Sequence, residues 1–117
     1  MAPTDARLVN DHALIAVYYL DEHWDEAEQE LHRAIRLGTQ QLSEMGDDVP
    51  DKERQNLDEA VGDAWENLAY LDVMRRKKTD RAESFLSESL KHFPYENRNG
   101  VILIRKSLEQ LRSDSPQ

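Results

Sequence analysis

The chain of 117 residues contains no cysteine. That excludes a disulfide scaffold, cysteine-ligated zinc, iron–sulfur clusters and thiol chemistry. No long apolar run is present: the longest, Ala13 to Leu20, has eight residues and is too short to cross a bilayer as a helix. The opening Met-Ala-Pro-Thr-Asp-Ala-Arg lacks a secretory pattern, so a cytoplasmic location is expected. Glycine and proline number four each. Most sit where punctuation belongs, with Gly38 and Gly46 ahead of Pro50, and Pro94 and Gly100 bracketing a break. The sequence has no glycine-rich phosphate loop and no G-x-S-x-G. Of the four histidines, His12, His23, His32 and His92, no two stand in an H-E-x-x-H spacing. Glu28/His32 and Glu88/His92 lie four apart, which suits ion pairs on a helix face rather than metal sites. The expectation is a protein that is not an enzyme and has no cofactor and no metal.

Charge of one sign dominates. The formal net charge is −9, and residues 21–63 hold 14 acids against four bases, whereas residues 64–117 hold eight acids against ten bases. A net negative field argues against nucleic acid and anionic membrane as partners. The asymmetry leaves room for pairing between copies or for a basic partner on the acidic half. The one basic run, Arg75-Arg76-Lys77-Lys78, suits the C-terminal end of a helix dipole, and could also answer the acidic segment of a second copy.

The length fits one domain, and the hydrophobic period is helical throughout. Five helices are predicted. The first, about Asp5 to Asp21, carries Leu8, His12, Ile15 and Tyr19 on one stripe. The second starts at Trp24 or Asp25, presents Ala27, Leu31, Ala34 and Ile35, and runs past Gly38 to Met45. Pro50 is expected at the first helical position of the third, which extends from about Asp51 to Lys77. Its seam of Leu57, Val61, Ala64, Leu68 and Leu71 alternates four and three residues, suited to shallow antiparallel packing. The fourth, from Thr79 or Asp80 to His92, buries Ala82, Phe85, Leu86 and Leu90. The fifth, from Asn97 or Asn99 to Arg112, buries Val101, Ile104, Leu108 and Leu111. Residues 113–117 read as a disordered tail. Trp24, Trp65, Tyr18 and Phe85 are expected in the core.

Tyr18, the step Trp24-Asp25-Glu26-Ala27, Leu31 and Ala34 resemble the centre of a tetratricopeptide repeat. A second unit is similar: Ala64-Trp65-Glu66-Asn67-Leu68-Ala69-Tyr70-Leu71, then Asp80-Arg81-Ala82, Leu86, Ser89 and Pro94. Its turn over Arg75–Thr79 is one residue longer than usual and lacks an aromatic equivalent to Trp24. Ala27 and Ala82 are 55 residues apart, against about 34 for the standard repeat. Kinesin-light-chain-like repeats lengthen the same connection. The extra residues are read as two extended helices forming a projecting hairpin with its tip at Gly46–Pro50.

The resemblance implies an all-α fold of two repeats, about 5–46 and 51–94, plus a capping helix at 97–112, arranged as a fragment of a right-handed superhelix. It also implies a protein–protein interaction module with a concave groove for a peptide or helix of a partner protein. By register, His12, Ala16 and Tyr19 line that groove from the first helix, Glu66, Asn67, Tyr70 and Val73 from the third, and Arg98, Val101 and Arg105 from the fifth. The basic residues of a carboxylate clamp are absent from the first helix. Two repeats are few for a stacked array, so an apolar stripe should stay exposed for a partner or a homodimer. The alternative is a self-associating assembly subunit without a groove.

Overall fold

The computed structural model describes residues 23–95 and 97–114. Among them are four helices and no strand. The predicted helix at Asp5–Asp21 lies outside the described residues, as do His12, Ala16, Tyr18 and Tyr19. No described helix is long and apolar enough to cross a membrane.

Helix α1 spans Trp24–Glu44. It opens after His23, whose carbonyl accepts the Ala27 N–H at 3.0 Å, and Asp25 and Glu26 lie at the positive end of its dipole. Ala27, Leu31, Ala34, Ile35 and Gly38 form its buried face. Gly38 does not interrupt it. The tip follows at Met45–Pro50. There the Val49 N–H reaches the Gly46 carbonyl at 3.2 Å, and Arg54 Nη2 donates to the same carbonyl at 2.9 Å.

Helix α2 spans Asp51–Tyr70, with Pro50 just before it rather than inside it. The expected seam is the molecular core: Leu57, Val61, Ala64, Leu68 and Leu71 are each no more than 3% exposed. The helix then continues without a break as a π-helical turn, Leu71–Arg76, closed by Lys77 at φ 60°. A π turn absorbs an extra residue inside a helix. It also delays α3, which spans Ala82–His92 rather than starting at Thr79 or Asp80.

Helix α4 spans Asn99–Asp114, so Ser113 and Asp114 belong to it rather than to the tail. Val101, Ile104 and Leu108 are no more than 1% exposed.

The layout follows from small residues. Ala27, Ala34 and Ala82 are 2%, 1% and 0% exposed, which lets α2 pack closely between α1 and α3. At Gly62 a β-carbon would stand 2.8 Å from Phe93 Cβ and 3.1 Å from the Ser89 carbonyl, so a side chain there would push α2 and α3 apart. Leu31, Leu68 and Leu86 fill the space between the helices, each stabilising the fold by about 2 kcal/mol. His32, Trp65 and Phe85, one from each of α1, α2 and α3, meet with ring centroids 6.0–6.5 Å apart. Ser89 lies against Gly62 and His92 against Asp58, so α3 runs antiparallel to α2. It ends short of the α1–α2 tip, which therefore projects.

Candidate interaction surface

The π turn places two sets of side chains back to back. Toward α1 and α3 it presents Asp72 and Arg76, four residues apart. Asp72 is fully buried and accepts from Arg81 Nε and Nη2, each at 2.9 Å, and from Arg76 Nη1 at 3.2 Å. Glu28 of α1 accepts from Arg81 Nη2 at 2.9 Å and also from Arg76 Nη1. Arg76 further reaches Asp25 at 2.6 Å. Two cations thus join α1 to both ends of the loop before α3. The Arg81 hydrogen bond, aided by Arg76, outweighs burial and holds the Glu28 carboxyl at about 2, below its usual 4.5. The hydrogen bonds to Asp72 and Glu28 push the Arg81 guanidinium further toward its charged form.

Toward α4 the same turn presents Val73, Met74 and Lys77. With Ser107, Gln110 and Leu111 they line a depression of about 240 Å³. Its lining is more polar than apolar, with the part-exposed Met74 and Leu111 beside an ammonium, a hydroxyl and an amide. Lys77 and Lys78 are exposed, and no acid lines this depression. The left-handed backbone at Lys77, a conformation that costs a non-glycine residue roughly 1 kcal/mol, follows from the Lys78 N–H closing onto the Asp72 carbonyl at 2.8 Å. A second, more open depression of about 510 Å³ lies between α3 and α4, lined by Glu83, Arg105, Leu108, Glu109, Arg112 and Ser113.

The start of α4 is locked. Arg98 stacks 4.1 Å over the Phe93 ring, donates from Nη2 to Ser89 Oγ at 2.9 Å and from Nε to the Tyr95 carbonyl at 3.1 Å, and pairs with Glu66 at 2.9 Å. Ser89 Oγ in turn donates to the Gly62 carbonyl at 2.7 Å. Burial raises the Glu66 carboxyl above its usual value, against the lowering by Arg98 and with help from Asp63.

No protein-family model, curated protein or solved structure matches this chain.

The residues singled out from sequence fall into three groups. Glu66 and Arg98 come together, as the ion pair that fastens α4. Asn67, Val73 and Val101 are 4%, 1% and 0% exposed, so they face the interior; Val73 only floors the smaller depression. Tyr70 is half-buried against the core, and Arg105 lines the larger depression. The His92 partner is Asp58 at 2.6 Å rather than Glu88, which pairs with Lys91 instead, because the end of α3 rests on α2. His32 does stand 3.5 Å from Glu28. Among the described residues no cluster suited to a metal ion occurs.

Sequence reasoning missed Glu28, Asp72 and Arg81 as a unit, and Ser107 and Gln110 as a rim. Asp72 had a detectable signal: a carboxylate between Leu71 and Val73, inside an apolar seam, with arginine four residues on. Arg76, read as part of a basic run at the end of a helix dipole, answers acids of its own chain.

Proposed function

We propose that this chain is a cytoplasmic protein-interaction module built of tetratricopeptide-like helical hairpins. It acts by binding, without catalysis, and holds a peptide or helix of a partner protein in the depression between the π turn and α4. The observation that carries this reading is an open depression in which the part-exposed Met74 and Leu111 stand beside the exposed Lys77 and Gln110. The buried Ala27, Ala34 and Ala82 support the hairpin packing that the resemblance implies. Glu66, Arg98, Val101 and Asn67 then act as the frame behind the surface rather than as contacts.

Affinity purification from the source cells tests it with three proteins: the wild type, Gln110→Trp and Gln40→Trp. Gln110 is exposed on the rim, and Gln40 is exposed on α1 away from it. Partners should be retained by the wild type and Gln40→Trp and lost with Gln110→Trp. Equal retention by all three would overturn the assignment of this depression. A self-associating subunit is the second reading, favoured by Ile102 and Leu103, which are 49% and 45% exposed on α4.

A further inference from the structure

We propose that the depression between the π turn and α4 receives the hairpin tip, Met45–Asp51, of a second copy of this chain. The inference rests on the reading of that depression as a protein-docking site and names its occupant.

The two surfaces match in chemistry. The tip places Val49, half-buried, among the exposed Asp47, Asp48 and Asp51. The depression offers Met74 and Leu111 to one small aliphatic side chain, beside the exposed Lys77 that Lys78 follows. Neither lysine is engaged in the Glu28–Asp72 network, which takes Arg76 and Arg81. The tip is also preformed, since the Val49 N–H and Arg54 both bind the Gly46 carbonyl. Docking it therefore orders little new backbone, which favours affinity.

Topology makes the contact intermolecular. The tip stands at one end of α2 and Lys77 follows the other, so the length of α2 keeps them more than about 30 Å apart. A single chain cannot fold one onto the other. Each chain carries exposed acids ahead of α2 and exposed lysines beyond its other end, and two chains side by side in opposite directions bring both sets together at once. Because each tip enters the other's depression, the contact is self-complementary and closes as a dimer. Ile102 and Leu103 lie exposed on the helix that forms one wall of the depression.

Sedimentation equilibrium on the full chain reads the result. The wild type should weigh twice 13.6 kDa in dilute salt and dissociate progressively toward about 1 M NaCl, where the Debye length is about 3 Å. Val49→Asp and Gln110→Trp should each raise the dissociation constant at least about tenfold, with circular dichroism unchanged. The decisive arm is a charge exchange. Lys77→Glu/Lys78→Glu makes both ends acidic, and Asp47→Lys/Asp48→Lys makes both ends basic. Each variant alone should be monomeric, and an equimolar mixture should form a dimer. A monomeric wild type at about 100 μM, far above the Kd of a stable complex, would overturn the inference, as would failure of the mixture to pair or a mass that climbs past the dimer. A monomer whose capture of another protein is abolished by Gln110→Trp would leave the docking reading intact and remove only the second copy as occupant.

Discussion

Gly62 shows how much one missing methyl group decides. Its neighbours across the α2–α3 contact are Phe93 Cβ and the Ser89 carbonyl, and its own carbonyl takes the Ser89 hydroxyl at 2.7 Å. That hydroxyl also accepts from Arg98, so the close approach at residue 62 positions the guanidinium that holds α4. Gly62→Ala would gain helix propensity of about 1 kcal/mol, but it would force α3 outward. We expect a net loss of about 2 kcal/mol from overpacking, read as a lower urea midpoint at unchanged slope. Ser89→Ala should also destabilise, by leaving a buried carbonyl and a guanidinium N–H without their shared partner, at about 1–3 kcal/mol.

At the scale of elements, the ion network does what apolar contact does elsewhere. Asp72 is fully enclosed, so its stability rests on Arg81 and Arg76. Removing one partner of a buried charge costs about 3–5 kcal/mol, whereas replacing the pair with apolar groups of similar size is often neutral. Arg81→Met should therefore destabilise by about 3 kcal/mol, and Asp72→Leu/Arg81→Met by clearly less. Thermal denaturation of the single and double variants checks the order.

The same network sets an acid limit. Glu28 titrates at about 2 when folded against a usual 4.5. A depressed carboxyl contributes stability that is present above about pH 4.5 and lost as pH falls toward 2. Glu28→Gln should therefore be less stable than the wild type at neutral pH, with the difference shrinking through that window in urea titrations. Glu66 has the opposite sign: burial raises its carboxyl, so protonating it favours the folded state. Glu66→Gln should thus remove a contribution that grows as pH falls through the raised value toward 4.5.

For the whole molecule, charge is segregated along the hairpin rather than merely in excess. The bases that face inward, Arg76, Arg81 and Arg98, are spent on acids of the same chain, leaving exposed lysines at one end of α2 and exposed aspartates at the other. If the tip and the depression join two copies, association is linked to folding. The melting temperature should then rise with protein concentration, because mass action favours a folded dimer. A scan across a hundredfold range of concentration measures this, and a constant midpoint would argue for a monomer.

Periodicity and small-residue spacing were enough to read α1 to α4, the seam from Leu57 to Leu71, the tip at Gly46–Pro50 and the burial of Ala27, Ala34 and Ala82, because each depends on a repeat within a single helix. The π turn at Leu71–Arg76 was not legible, because the apolar pattern there continues as in an ordinary helix. Partner choice across helices was beyond the sequence as well: Arg76 meets Glu28 from 48 positions away and His92 meets Asp58 from 34 positions away. Whether Arg98, Val73 and Val101 face a ligand or a neighbour depends on how far each helix is rotated about its axis, and a period of 3.6 residues leaves that angle open until the packing of α2 against α3 and α4 closes it. The sequence alone thus determined which segments are helical and which stripe of each is apolar. Tertiary structure alone decided which charges were neutralised within the chain and which stayed exposed.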